Sequence, residues 1–187
     1  MKKKWAIIGI IAVIVALIIG AIIGTYNNLN TLRGEVEEKS AVIDTQLQRR
    51  SDLIPNLVNT VKGYAAHETE VYTAVADARA KLAGATTTAE KVEANGELSG
   101  AISRLLAIAE SYPELKASEN FINLQDELAG TENRITTARN DYNAVAKKYN
   151  VKIRSFPTVI VAGLLGFDKV DYFEAASGAE NAPTVSF

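Results

Sequence analysis

The feature that most constrains this chain is an uninterrupted apolar run over residues 5–24, in which Ile, Val, Ala, Leu and Gly follow Trp5 without a charged side chain. Twenty residues at about 1.5 Å rise give roughly 30 Å, the thickness of a bilayer's hydrocarbon core. A cleavable signal peptide has a shorter apolar region and ends in a small-x-small site. The sequence around Gly24 fits that poorly, so residues 5–24 are expected to be an uncleaved transmembrane anchor. Lys2, Lys3 and Lys4 stand directly before the run, whereas beyond it Arg33 is soon offset by Glu35, Glu37 and Glu38. The positive-inside rule then places residues 1–4 in the cytoplasm and the rest of the chain outside. Trp5 and Tyr26 mark the two ends, where interfacial aromatics belong. Gly20-x-x-x-Gly24 matches a helix-dimerisation spacing, a pattern of low specificity.

Beyond the anchor 163 residues remain, enough for a domain with a core. They carry 17 of the 20 basic residues and all 22 acidic ones, a net of −5 with no basic stripe, which argues against nucleic acid as a partner. There is no cysteine and one histidine, His67, so disulfides, thiolate chemistry and Cys-based metal sites drop out together.

Apolar residues recur at alternating steps of three and four. Ile54, Leu57, Val61, Tyr64, Val71, Val75, Ala78 and Leu82 form one seam, with Glu68 as its polar member. Phe121, Leu124, Leu128, Ile135, Ala138, Tyr142, Val145 and Tyr149 form another, with Thr131 in register. Leu98, Ile102, Leu105, Ala109 and Tyr112 form a third, and Leu29, Leu32, Val36, Ile43 and Leu47 a looser fourth. Such stripes let helices pack side by side. The expected fold is all-α: the anchor, then an elongated antiparallel four-helix bundle over residues 25–174, then a flexible tail over 175–187 whose last five residues could dock. Helices two and four should run about 30 residues, roughly 45 Å. Ser51-Asp52 can cap a helix with Pro55 in its first turn; alternatively one long helix kinks there. Thr87-x-x-Glu90 reads as a capping box. Tyr112-Pro113 and Ser155-Phe156-Pro157 read as stops, and a short apolar piece over 159–165 closes at Gly166.

No catalytic constellation is complete. His67-Glu68 starts like His-Glu-x-x-His, but position 71 is Val, so the two-histidine zinc grip is missing. No Glu-x-x-His serves a di-iron bundle. There is no Gly-x-Ser-x-Gly elbow and no phosphate-cradling glycine loop. No enzymatic activity, cofactor or metal is therefore expected. What stands out is a polar set beside the seams: Arg49, Arg50, Asp52, Asn56, Lys62, His67, Glu68, Arg79, Glu132, Asn133, Arg134 and Arg139, with Arg104 on the third helix. These residues either set the register between similar helices or form a groove, centred on Arg50, Asp52, Glu132 and Arg134, that recognises a peptide or ligand.

The same residues carry a resemblance. The run Ile43-Asp44-x-x-Leu47-x-Arg49-Arg50-x-Asp52-Leu53-Ile54-Pro55-Asn56-Leu57-Val58 resembles the LemA family. So do Tyr26-Asn27, Val61-Lys62-Gly63-Tyr64, His67-Glu68, Ala78-Arg79, Tyr112-Pro113-x-Leu115-Lys116 and Phe121-x-x-Leu124-Gln125-x-x-Leu128. Thr131-Glu132-Asn133-Arg134-Ile135, Ala138-Arg139-x-x-Tyr142-Asn143, Tyr149-Asn150, Phe156-Pro157, Gly166-Phe167 and Pro183-x-Val185-x-Phe187 complete it. Ser40 and Ser51 depart from the family pattern, standing where bulky aromatics are usual. The resemblance implies a bacterial membrane protein with one span and a helical-bundle domain, without an assigned reaction. It also implies scaffolding beside membrane-bound stress proteases or specialised organelle membranes; the tether and the long bundle add other envelope proteins and copies of the chain itself as expected partners.

Overall fold

The computed structural model describes residues 2–174, with side chains from Lys4 onward. The tail expected over 175–187, its docking segment, and the side chains of Lys2 and Lys3 lie outside the described residues. Six helices follow one another: α1 (Lys2–Lys62), α2 (Thr69–Gly84), α3 (Thr88–Ala109), α4 (Pro113–Lys116), α5 (Glu119–Arg154) and α6 (Thr158–Leu165). No strand occurs among the described residues, so the all-α expectation holds. The helix count and boundaries differ from the four-helix bundle read from the seams.

The described residues gather into two compact units. One comprises residues 2–39 and 142–171, the other 40–141 and 172–174. In the first, α1 contains the apolar run, whose large side chains are all exposed; it is long and apolar enough to cross a membrane. Beyond the run, Leu29 and Val36 are buried, as are Tyr142, Val145, Ala146, Tyr149 and Ile153 on α5 and Ala162 on α6. Asn150 ties down the segment after α6. Its Nδ2 donates to the Val170 carbonyl at 2.8 Å and its Oδ1 accepts from the Val170 N–H at 2.9 Å. Tyr142 donates its hydroxyl to the Asp171 carbonyl. Gly166 closes α6 in the left-handed region (φ 71°), where a glycine carries no Cβ penalty, and its N–H reaches the Ala162 carbonyl.

In the second unit Ile43, Leu47, Ile54, Leu57 and Val61 of α1 are buried. Tyr72, Val75, Ala78 and Leu82 of α2, Leu98, Ile102 and Leu105 of α3, and Phe121, Leu128 and Ile135 of α5 join them. A three-residue loop joins α2 to α3, which makes the pair a helical hairpin. Thr87 and Glu90 form the capping box there: Thr87 Oγ1 accepts from the Glu90 N–H, and Glu90 Oε2 accepts from the Thr86 and Thr87 N–H groups. Those hydrogen bonds hold the Glu90 carboxyl down at about 2. Lys81 of α2 bridges Glu93 and Glu97 of α3 at 2.8 and 2.7 Å.

The helix break falls in a different place from either sequence reading. α1 continues through Ser51, Asp52 and Pro55 to Lys62, and the chain turns at Gly63 to Glu68. Proline at position 55 cannot donate to the carbonyl four residues back, that of Ser51. Arg79 of α2 takes that place: its Nε donates to the Ser51 carbonyl at 3.1 Å and to Ser51 Oγ at 3.0 Å. The turn that follows is anchored by Tyr72, whose hydroxyl donates to the Ala65 carbonyl at 2.6 Å. The expected seam through Tyr64 and Val71 is thereby corrected. Tyr64 is exposed, Val71 only half-buried, and Tyr72 faces the core. Tyr112 likewise ends no seam; it precedes Pro113, which opens the one-turn α4.

Candidate functional site

The polar set separates into three groups within the second unit. The first is a buried core. Arg50 is 5% exposed and donates from Nη1 to Asn95 Oδ1 at 2.7 Å and from Nη2 to Ser99 Oγ at 3.0 Å. Glu132 Oε2 of α5 stands against Arg50 Nη1 as an ion pair, without hydrogen-bond geometry. One guanidinium thus joins α1, α3 and α5. Burial pushes the Arg50 guanidinium below its usual range; Glu132 opposes the shift and Arg139 adds to it. Arg139 is lowered by burial too, again opposed by Glu132, and lies 5.7 Å from the centre of the Phe173 ring. Arg50 Nε and Arg139 Nε and Nη2 are buried without a hydrogen-bond partner. Such orphaned donors are costly, and an ordered water is their ordinary partner.

The second group clamps neighbouring helices. Arg79 holds Ser51 as described. Arg49 Nη2 donates to Glu127 Oε2 of α5 at 2.7 Å, and that hydrogen bond keeps the Glu127 carboxyl below the usual range. Lys91 of α3 reaches Asp44 of α1. Lys62 lies 4.9 Å over the Tyr72 ring.

The third group is on the surface. Asp52 is exposed and accepts from Gln48 on its own helix at 2.8 Å. Asn133 and Arg134 are exposed on α5. His67 and Glu68 sit in the turn before α2, not on a helical face. The groove expected around Arg50, Asp52, Glu132 and Arg134 therefore does not form as one cluster: buried Arg50 meets a half-exposed Glu132, while Asp52 and Arg134 face solvent. Among the described residues no three His, Asp or Glu side chains converge as metal ligands.

Asn56 belongs to a different feature. With Asn59 and Thr60 of α1, and Asn120, Asn123, Leu124 and Glu127 of α5, it lines an open groove of about 450 Å³. Two Asn-x-x-Asn pairs face each other there. None of the four carboxamides has a side-chain hydrogen bond among the described residues. Sequence reasoning passed over Asn59, Asn120, Asn123 and Asn95. A signal for Asn95 existed, because it continues the seam of Leu98, Ile102, Leu105 and Ala109 by one further step of three.

Comparison with known proteins adds a family and several relatives. The model of the LemA family matches residues 39–187. Magnetosome protein MamQ 2 of Paramagnetospirillum magneticum is 27% identical over 186 residues, spanning 86% of this chain and 68% of that protein. Magnetosome protein MamQ of Magnetospirillum gryphiswaldense is 28% identical over 174 residues, spanning 79% of this chain and 64% of that protein. Protein LemA of Metamycoplasma hominis is 27% identical over 155 residues, spanning 82% and 71%.

Proposed function

The chain belongs to the LemA family, and from that premise we propose that it is a membrane-anchored, non-enzymatic helical scaffold or adaptor. The observation that carries this reading is α1. The helix that is apolar over residues 5–24 also supplies Ile43, Leu47, Ile54, Leu57 and Val61 to the core of the second unit. The N-terminus is cytoplasmic and the remainder extracytoplasmic, on the charge asymmetry across the span. Partners are other membrane or envelope proteins, a membrane-bound protease among the candidates, and copies of the chain itself. The role is envelope organisation or quality control of membrane proteins, and relatives named for the magnetosome are in keeping with an organising role. The polar interior supports it as well: Arg50, Asn95, Ser99 and Glu132 are committed to one another and fix which helix faces meet. A photo-cross-linking residue placed in turn at the exposed positions Asn133 and Arg134 tests the reading in intact cells. Discrete adducts with envelope proteins or a second copy are expected; recovery of the uncoupled chain alone would contradict it.

The asparagine groove favours a second reading, a module that binds an extended peptide. Asparagine is a poor helix former, so four exposed ones lining one groove without internal partners are a local cost that packing leaves unexplained. Each carboxamide offers a donor and an acceptor, matching the N–H and C=O of a peptide main chain. Asn59→Ala with Asn123→Ala should keep or raise the melting temperature while weakening capture of an unfolded polypeptide. Unchanged capture would sink this reading.

A further inference from the structure

Among the described residues beyond the apolar run, α6 is the most exposed apolar element. Eleven large apolar side chains after Ile23 are exposed among the described residues. Five of them, Phe156, Val159, Ile160, Leu164 and Leu165, fall within ten residues. Phe156 and Leu164 are 82% and 79% exposed, as open as Trp5 at 74% and Leu17 at 69% in the apolar run. Ile160 and Leu164 are spaced i, i+4 and so share one stripe, while Thr158 and Ala162 are the buried side of the same helix. A contiguous apolar face of this kind on a folded protein marks an interaction surface.

Two observations identify what covers it. First, Phe167, directly after the Gly166 cap, packs edge-to-face on Tyr26 with ring centres 5.7 Å apart. Tyr26 is two residues past Gly24, about 3 Å along the helix axis from the end of the apolar run. The C-terminal end of α6 is thus held where α1 leaves the apolar zone. Second, the charge leading into α6 is basic: Lys147, Lys148, Lys152 and Arg154 precede it with no acidic residue between 142 and 167. Lys147, Lys148, Lys152 and Arg154 are all exposed. Apolar side chains bordered by lysine and arginine suit an anionic lipid interface.

We propose that α6, with Phe156, is a second membrane contact: a short helix lying in the headgroup region of the bilayer beside the point where α1 emerges. The proposal rests on the reading of residues 5–24 as a bilayer span. It gives the chain two lipid contacts, a crossing helix and an interfacial one, so the first unit is seated against the membrane surface. The apolar face is covered by lipid, not by a second copy or another protein.

The chain's composition supplies the test. Trp5 is its one tryptophan and it has no cysteine. The full chain is placed in nanodiscs of phosphatidylcholine and phosphatidylglycerol, some brominated near the headgroup end of the acyl chains. Ile160→Cys, Leu164→Cys and a control, Ala76→Cys on the exposed side of α2, carry an environment-sensitive NBD label. Brominated lipid should lower the emission at positions 160 and 164, as for probes seated in the interface, and leave it unchanged at 76. Quenching of Trp5 without quenching at 160 and 164 overturns the α6 proposal and leaves the anchor standing. Quenching at 160 and 164 without Trp5 supports the α6 contact and removes the anchor reading. Labels at 160 and 164 that are shielded from water but untouched by bromine would mean a protein covers the face, which overturns the proposal.

Discussion

Arg79 of α2 donates its Nε hydrogen to the backbone carbonyl of Ser51 on α1, the carbonyl that Pro55 leaves without a helical donor. That relationship lets α1 pass a proline and continue to Lys62. It also makes a coupling prediction. Arg79→Ala should cost about 2 kcal/mol, the range for a hydrogen bond from a charged group. In a Pro55→Ala background, where a backbone N–H returns, the cost should be distinctly smaller. Thermal melts of the four chains in a double-mutant cycle in detergent would measure the coupling. Equal costs in both backgrounds would mean that the Ser51 hydroxyl contact alone matters.

Arg50 is expected to be intolerant of change. Arg50→Ala leaves Asn95 and the half-exposed Glu132 without their cation and opens space between three helices, a loss of about 2 kcal/mol on the scale for hydrogen bonds from a charged group. Arg50→Lys should recover little, since one ammonium cannot reproduce the planar fork that reaches Asn95 and Ser99 together. Denaturant titration followed by circular dichroism would rank the three proteins.

Glu90 predicts a pH dependence of known sign. Its folded value of about 2 lies below the ordinary 4.5. Its contribution to stability is therefore fully present above about 4.5 and is lost as pH falls from there toward 2. Glu90→Gln should melt below the parent chain at neutral pH, and the gap should close on acidification through that window. Thr87→Ala, which removes the other half of the box, should cost about 1 kcal/mol.

Asn150 holds Val170 by two hydrogen bonds. Asn150→Ala should speed hydrogen exchange at the Val170 amide strongly while leaving exchange in α3 unchanged. The comparison needs no assumption about global stability, because α3 belongs to the other unit.

Much of this architecture was legible in the residues. The α5 stripe was read nearly as it stands: Phe121, Leu128, Ile135, Ala138, Tyr142 and Tyr149 are buried, and its polar member Thr131 is fully buried too. The Thr87–Glu90 capping box was legible because all its atoms lie within four residues. The helix break was not. Ser51, Asp52 and Pro55 are strong local signals for a start or a kink, and Arg79, 28 positions away, removes the reason for one. With the break at Gly63–Glu68, Val75, Ala78 and Leu82 still face inward, and Tyr72 joins them in place of Val71, its hydroxyl bound to the Ala65 carbonyl of the turn. The polar set failed as a single cluster for a related reason. Periodicity places residues near a seam, but whether Arg50 points to Asn95 or toward Asp52 depends on α3, whose register no single-helix pattern fixes. The exposed face of α6 was visible only as an apolar stretch, since a short hydrophobic helix reads the same whether buried or open.

The most direct test of the central claim is proximity labelling in living cells, with a peroxidase fused to the C-terminus of the full chain. The scaffold account predicts a reproducible set of extracytoplasmic envelope neighbours that is lost when residues 5–24 are replaced by a cleaved signal peptide. Labelling of cytoplasmic proteins, or a neighbour set identical with and without residues 5–24, would contradict it.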